Sequence, residues 1–184
     1  VPWTPRLVAD LVAHPRWCLR MLRQGGSPQL VNLARSSGLP DDLQQQAAAM
    51  SRQMDTSLTW NDLEWVRRHW NGPVIVKGIL DAADARKALE HGADGIVVSN
   101  HGGRQLESAP SSLERLPEIT DIAGERMHLL IDGGVRRGSD IAKALALGAK
   151  AVLLGRAPLY GLAARGGRGA AEVLNILRSE FETT

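Results

Sequence analysis

The feature that most limits the fold is an alternation of short apolar runs with helical patterns between residues 72 and 156, part of which occurs twice. Residues 74–79, 96–99, 129–132 and 152–155 are rich in Val, Ile and Leu, as strands buried on both faces of a parallel sheet are. Helical segments separate them. Asp81 is placed to cap a helix over 82–91 that Gly92 ends, and Ser139 to cap one over 140–147 that Gly148 ends. A third, over 112–123, contains Pro117, which predicts a kink or a first-turn position. Shifting the chain by 56 residues superposes Asp84, Lys87, Ala88, Leu89, Gly92 and Ala93 on Asp140, Lys143, Ala144, Leu145, Gly148 and Ala149. Repeated βα units of this length build either a (β/α)₈ barrel or a doubly wound sheet. The polar residues gather just after successive strands and no Gly-x-Gly-x-x-Gly follows a first strand, which favours the barrel.

A complete barrel takes ~250 residues, whereas this 184-residue chain offers four βα units. The expected fold class is α/β: the carboxyl-terminal half of a TIM (β/α)₈ barrel, over residues 56–184. Residues 1–55 read as an irregular and helical insertion between barrel units, with weak strand signal. Breakers stand at Gly25-Gly26-Ser27-Pro28 and Gly38-Leu39-Pro40, and a helix is expected over 41–52.

Charge is uneven. The whole chain carries 22 basic and 20 acidic residues, net +2, so no global field points to nucleic acid. Residues 1–39 hold Arg6, Arg16, Arg20, Arg23 and Arg35 against Asp10 alone, a balance of +4. Trp3, Trp17, Leu19 and Leu22 interleave with these arginines. Such a segment either packs on the barrel through its tryptophans or lies at the headgroup level of a bilayer, where tryptophan and arginine are both favoured. The single cysteine, Cys18, excludes an intrachain disulfide and suits a reducing compartment. No apolar run approaches the ~20 residues of a membrane span, and the first residues lack a signal-peptide pattern.

Three strand ends carry the chemistry. The run at 96–99 stops at Asn100-His101-Gly102-Gly103-Arg104, which brings a proton acceptor and a fork-like anion clamp to one loop. The run at 129–132 leads into Asp132-Gly133-Gly134-Val135-Arg136-Arg137-Gly138, and the next strand into Gly155-Arg156. Glycines let a ligand approach the backbone, and the free N–H groups of a following helix attract an anion. Two consecutive loops of this kind make the usual phosphate site of a barrel. Lys77, inside an apolar strand, should meet an anionic group of a ligand if it points inward. His14, His69, His91 and His128 lack such company, and no set of His, Cys, Asp and Glu has metal-ligand spacing.

Val76-Lys77-Gly78-Ile79, Ser99-Asn100-His101-Gly102-Gly103-Arg104-Gln105-Leu106, Asp132 to Gly138, Lys143 to Ala149 and Gly155-Arg156 together resemble the FMN-dependent L-2-hydroxy acid oxidases and dehydrogenases, almost continuously over residues 56–182. Within that family, His14-Pro15-Arg16-Trp17, Pro28-Gln29-Leu30 and Met50 to Asp55 are most similar to the members that oxidise mandelate, with those that oxidise lactate next. The resemblance implies FMN as cofactor, bound by Lys77, Ser99, His101, Asp132, Gly133, Gly134, Arg136, Gly155 and Arg156. It makes His101 the catalytic base and Arg104 the partner of the substrate carboxylate. It further implies a mandelate-like substrate oxidised to the 2-oxo acid, a quinone or protein electron acceptor, and either a complementary amino-terminal half of the barrel or a homo-oligomer. The expected location is cytoplasmic, peripheral on the inner face of the cell membrane. Hydride transfer with proton loss and a carbanion route both remain open. Two rivals stand beside this reading. One is an NAD enzyme like the IMP dehydrogenases, whose phosphate loop the Asp132 segment also resembles, but Cys18 lies far from any rim loop. The other is a non-catalytic half barrel that binds flavin or phosphate, since the first four strands and the carboxylate that orients the histidine precede Val1 in the family.

Overall fold

The structure, a computed structural model, describes residues 3–23, 25 and 43–184. The chain forms two compact units, Val1–Ser57 and Leu58–Thr184. The first unit, where described, is helical: α1 (Pro5–Ala13), α2 (Pro15–Arg23) and α3 (Leu43–Gln53). Thr4 caps α1 by accepting the Leu7 N–H at 3.2 Å, and a proline with its φ already set stands at the start of both α1 and α2. The expected helix at 41–52 is α3, its first two residues lying outside the described ones. So do Pro28-Gln29-Leu30 and the breakers other than Gly25, which sits in a turn at φ +98°.

The second unit runs α4 (Asn61–His69), β1 (Ile75–Ile79), α5 (Ala82–Glu90), β2 (Gly95–Val98), α6 (Ser112–Ala123), β3 (His128–Ile131), α7 (Gly138–Ala146), β4 (Ala151–Val152) and α8 (Arg156–Glu182). All strands are parallel, and their spatial order is their sequence order. A doubly wound sheet reverses direction at a switch point; an order that never reverses is that of a barrel segment.

Register divides the sheet into two faces. Val76, Ile96 and Leu129 align across β1, β2 and β3. With Ile79, Val98 and Ile131 they join one cluster containing Ala85 and Ala88 of α5, Leu116 and Ile119 of α6, and Ala144 of α7. That face is the helix-covered one. Lys77, Val97 and Leu130 align on the opposite face, and period-2 alternation places Ser99 and Asp132 on it one step further toward the strand ends.

The repeat in the sequence is a repeat in space. Ala88 and Ala144 are buried, Gly92 and Gly148 end their helices at φ +81° and +104°, and the N–H groups of Ala93 and Ala149 reach back to the carbonyls of Ala88 and Ala144 at 2.9 and 3.1 Å. This is the 6→1 closure that needs a left-handed residue. Asp81 caps α5 as expected, accepting the Ala83 N–H at 2.7 Å. Ser139 does not cap α7: the helix starts two residues earlier than expected with Arg137 in the cap position, and Asp140 accepts the N–H groups of Arg136 and Arg137, both at 3.0 Å. Pro117 lies inside α6 rather than in its first turn, and Ser111 is the cap. Strand β4 is two residues long, ending well before Gly155.

The amino-terminal ends of the strands are tied to α4. Asp94 accepts the Val74 N–H at 2.7 Å and pairs with Arg67 at 3.0 Å, while Arg67 also donates to the Gly72 carbonyl. The Val74 hydrogen bond, aided by Arg67 and opposed by desolvation, holds the Asp94 carboxyl below its ordinary value. A carboxyl lowered in the folded state stabilises above the unfolded value, and that contribution is lost as pH falls through the folded one. Asp94→Asn is therefore expected to lower the melting temperature by a few degrees at pH 7, with the gap to the unchanged protein closing by pH 3. Melts at pH 7, 5 and 3 check this, and a gap constant across that range contradicts it.

Candidate active site

At the carboxyl ends of the strands, Lys77, His101, Gly102, Arg104, Asp132, Gly134, Arg136, Gly155 and Arg156, with neighbours including Gln105, Val135 and Leu159, line one cavity of about 490 Å³. Lys77 points inward. Its ammonium donates to Ser99 Oγ at 2.8 Å and pairs closely with the Asp132 carboxylate, so the anion expected from a ligand is instead one of the protein's own, supplied by the end of the third strand. Asp132 Oδ1 is buried and has no hydrogen-bond partner. Ser99, fully buried, does not line the cavity: its hydroxyl joins Lys77 to the backbone N–H of His101, 3.1 Å away.

His101 stands at φ +56°, an unusual conformation for a residue with a side chain. The loop enforces it. Asn100 accepts the Gly102 N–H at 3.0 Å and donates to the Pro110 carbonyl at 3.2 Å, and its own N–H reaches Ser112 Oγ. From the far side Arg156 donates to the Gly102 carbonyl at 2.9 Å. Gly78 lets the imidazole in: a Cβ there would meet His101 Cε1 at 2.9 Å, and its φ is +100°. A glycine inside a strand signals such a close approach, so Gly78 was visible in the sequence but went unassigned, as did Ser112. Arg104 lines the cavity with no hydrogen bond or ion pair among the described residues, free for an anionic ligand.

One expectation about the anion site changes. The N–H groups at the start of α7 are already taken, those of Arg136 and Arg137 by Asp140 and that of Gly138 by Glu180 at 2.8 Å. The start of α8 is open: Gly155 provides no cap, and a Cβ placed on Gly155 or on Gly134 meets nothing within 4 Å. With the cationic Arg136 and Arg156 alongside, the amino terminus of α8 and the backbone at Gly134 are the places where an anion could be accommodated. The orphaned Asp132 oxygen and these open glycines suit a ligand with hydroxyls along its length and a phosphate at one end.

The family model for FMN-dependent dehydrogenase matches residues 1–184, the first unit included, and the chain belongs to that family. It is 50% identical over 182 residues to (S)-mandelate dehydrogenase from Pseudomonas putida, covering 99% of this chain and 45% of that protein. It is 47% identical over 176 residues to L-lactate dehydrogenase from Azorhizobium caulinodans, covering 96% and 46%. The solved structure of the monotopic membrane protein (S)-mandelate dehydrogenase superposes with a TM-score of 0.88 at 50% identity, covering 99% of this chain and 48% of that one. A mandelate oxidase variant solved with a monooxide FMN adduct gives 0.66 at 48% identity, covering 68% and 40%. FMN is the cofactor of the family. The chain spans about half the length of the relatives it matches.

Because Gly78 holds the space that His101 enters, Gly78→Ala is expected to displace the imidazole. The nuclear Overhauser contact between the Gly78 α-protons and the ring in the unchanged protein checks the placement. Its absence, or an unshifted His101 ring signal in the variant, contradicts it.

Proposed function

We propose that this chain is the carboxyl-terminal half of an FMN-dependent dehydrogenase that oxidises an L-2-hydroxy acid, mandelate-like, to the 2-oxo acid. The carrying observation is the convergence of His101, Arg104, Lys77 and Asp132 on one cavity that Gly134, Arg136, Gly155 and Arg156 also line. Lys77, Asp132, Gly133, Gly134, Arg136, Gly155 and Arg156 would hold the cofactor, with His101 facing it and Ser99 bracing Lys77 and His101 from behind. Bound FMN supplies the acceptor for the two electrons that leave C2. Arg104 forms a bidentate pair with the substrate carboxylate, which fixes C2 relative to the histidine. His101 takes one of the two protons released as alcohol becomes ketone. The electrons then pass to a quinone or protein acceptor. The 50% identity to a mandelate dehydrogenase against 47% to a lactate dehydrogenase supports the aromatic substrate. Residues 1–55 serve as an insertion between barrel units in this reading, and the remaining strands come from a preceding half.

The test uses the complete protein. Flavin absorbance near ~450 nm after reconstitution is expected, and its absence, or bound NAD instead, overturns the assignment. His101→Gln is expected to lower kcat by about 100-fold or more while flavin stays bound, the size of a lost general base. Arg104→Lys should act mainly on KM, raising it about tenfold or more through loss of the bidentate pair. Near-normal kcat in His101→Gln removes that residue from the chemistry.

We also propose that the first unit contacts a membrane surface peripherally. Trp3, Val12, Leu19 and Leu22 are exposed, α2 ends in Arg20 and Arg23, and among the described residues no helix is long and apolar enough to cross a bilayer. Each basic residue close to an anionic surface contributes roughly 1 kcal/mol, so attachment should weaken with salt. Flotation with acidic vesicles at low ionic strength is expected, with release at high salt. Equal behaviour of a variant lacking residues 1–40 excludes this role.

A further inference from the structure

Arg136 and Arg137 are adjacent, yet only Arg136 lines the cavity. Arg137 is turned away by Glu180, near the end of α8, whose carboxylate accepts from Arg137 at 2.8 Å and, through its other oxygen, from the Gly138 N–H at 2.8 Å. The junction is tight. A Cβ on Gly138 would lie 2.1 Å from the Phe181 nitrogen and 2.4 Å from the Glu180 carbonyl carbon, so the two backbones touch. At the same turn Asp140 holds the N–H groups of Arg136 and Arg137. The stretch from Gly133 to Arg137 is therefore gripped at its outgoing end by two carboxylates, one from its own helix and one from a residue 42 positions away in sequence. The Gly138 hydrogen bond first, and Arg137 second, hold the Glu180 carboxyl below its ordinary value against desolvation and the nearby Asp140 charge.

We infer that Glu180 is a positioning residue for the cofactor's phosphate: by fixing Gly138 and drawing off Arg137, it sets the backbone at Gly134 and leaves Arg136 as the clamp. This rests on the FMN reading above and adds to it a residue outside the cavity. It acts through geometry, not charge. Removing a carboxylate near an anion site would by charge alone tighten phosphate binding, so the two effects have opposite signs.

The test compares Glu180→Ala with Glu180→Gln in the complete protein freed of flavin, titrated with FMN and with riboflavin, which lacks the phosphate. Both variants lose the same charge, but only Gln keeps an acceptor for Gly138. Glu180→Ala is expected to weaken FMN about fivefold or more and riboflavin less than twofold; Glu180→Gln should return FMN to within about twofold of the unchanged protein. Equal FMN affinities in the two variants, tighter FMN in Glu180→Ala, or a matching loss of riboflavin overturns the inference. Should Glu180→Ala not fold, Glu180→Asp takes its place, keeping the charge but shortening the reach. FMN affinity is then expected to be lower for Asp than for Gln, and the reverse order or equality overturns the role. An unchanged protein that does not prefer FMN to riboflavin defeats the flavin assignment itself, a separate result.

Discussion

The Lys77 ammonium joins three strands at once. It projects from β1, donates to Ser99 at the end of β2, and pairs with Asp132 at the end of β3. The Lys77 side chain is 44% exposed, so water meets part of its charge, and its protein partners are supplied by the register of the sheet itself. Slipping β1 by one residue would turn Lys77 into the apolar layer under the helices and leave Asp132 and Ser99 without it. The position of His101 follows from the same arrangement, because Ser99 accepts the His101 N–H with the hydroxyl that also meets Lys77. Strand alignment and the placement of the reactive loop are thus one constraint.

The two ends of the sheet do different work. At the amino-terminal ends, Asp94, Arg67, Val74 and Gly72 are joined by hydrogen bonds and an ion pair, and the contacts hold α4 to the strands. At the carboxyl ends, donors are left open at Gly134 and Gly155, an oxygen of Asp132 is unpaired, and Arg104 and Arg136 extend into the cavity. Satisfied groups stabilise and unsatisfied ones wait for a ligand; a barrel commonly divides its two rims this way.

Much of this was legible in the sequence because it depends on periodicity and on residue types with few uses. The apolar runs located the first three strands and met the fourth only at Val152, and the glycine terminators located the helix ends, since a left-handed closure needs a residue without a Cβ. Lys77, His101, Arg104, Asp132, Arg136 and Arg156, which stand out in the sequence as charged or titratable groups in or just after apolar strands, line one cavity in the structure. What escaped was contact between distant segments. Nothing local marks Glu180 as the partner of Gly138, because only the packing of α8 on α7 brings them together, and so the start of α7 looked open when it was filled. Ser139 looked like a cap by residue type, but Asp140, with the longer reach, had already satisfied the turn. Gly78 was an unread signal and not an absent one.

Strand order that follows sequence order also governs how the molecule is made. Each strand finds its neighbour within a short stretch of chain: Ile75 opposes Gly95, Gly95 opposes His128, and Leu130 opposes Ala151. Pairing each strand with its sequence neighbour keeps the loops to be closed short, which limits the entropy cost of each pairing. The last strand, β4, is an edge of the sheet, and its shortness limits the row of unpaired backbone groups it offers to another chain.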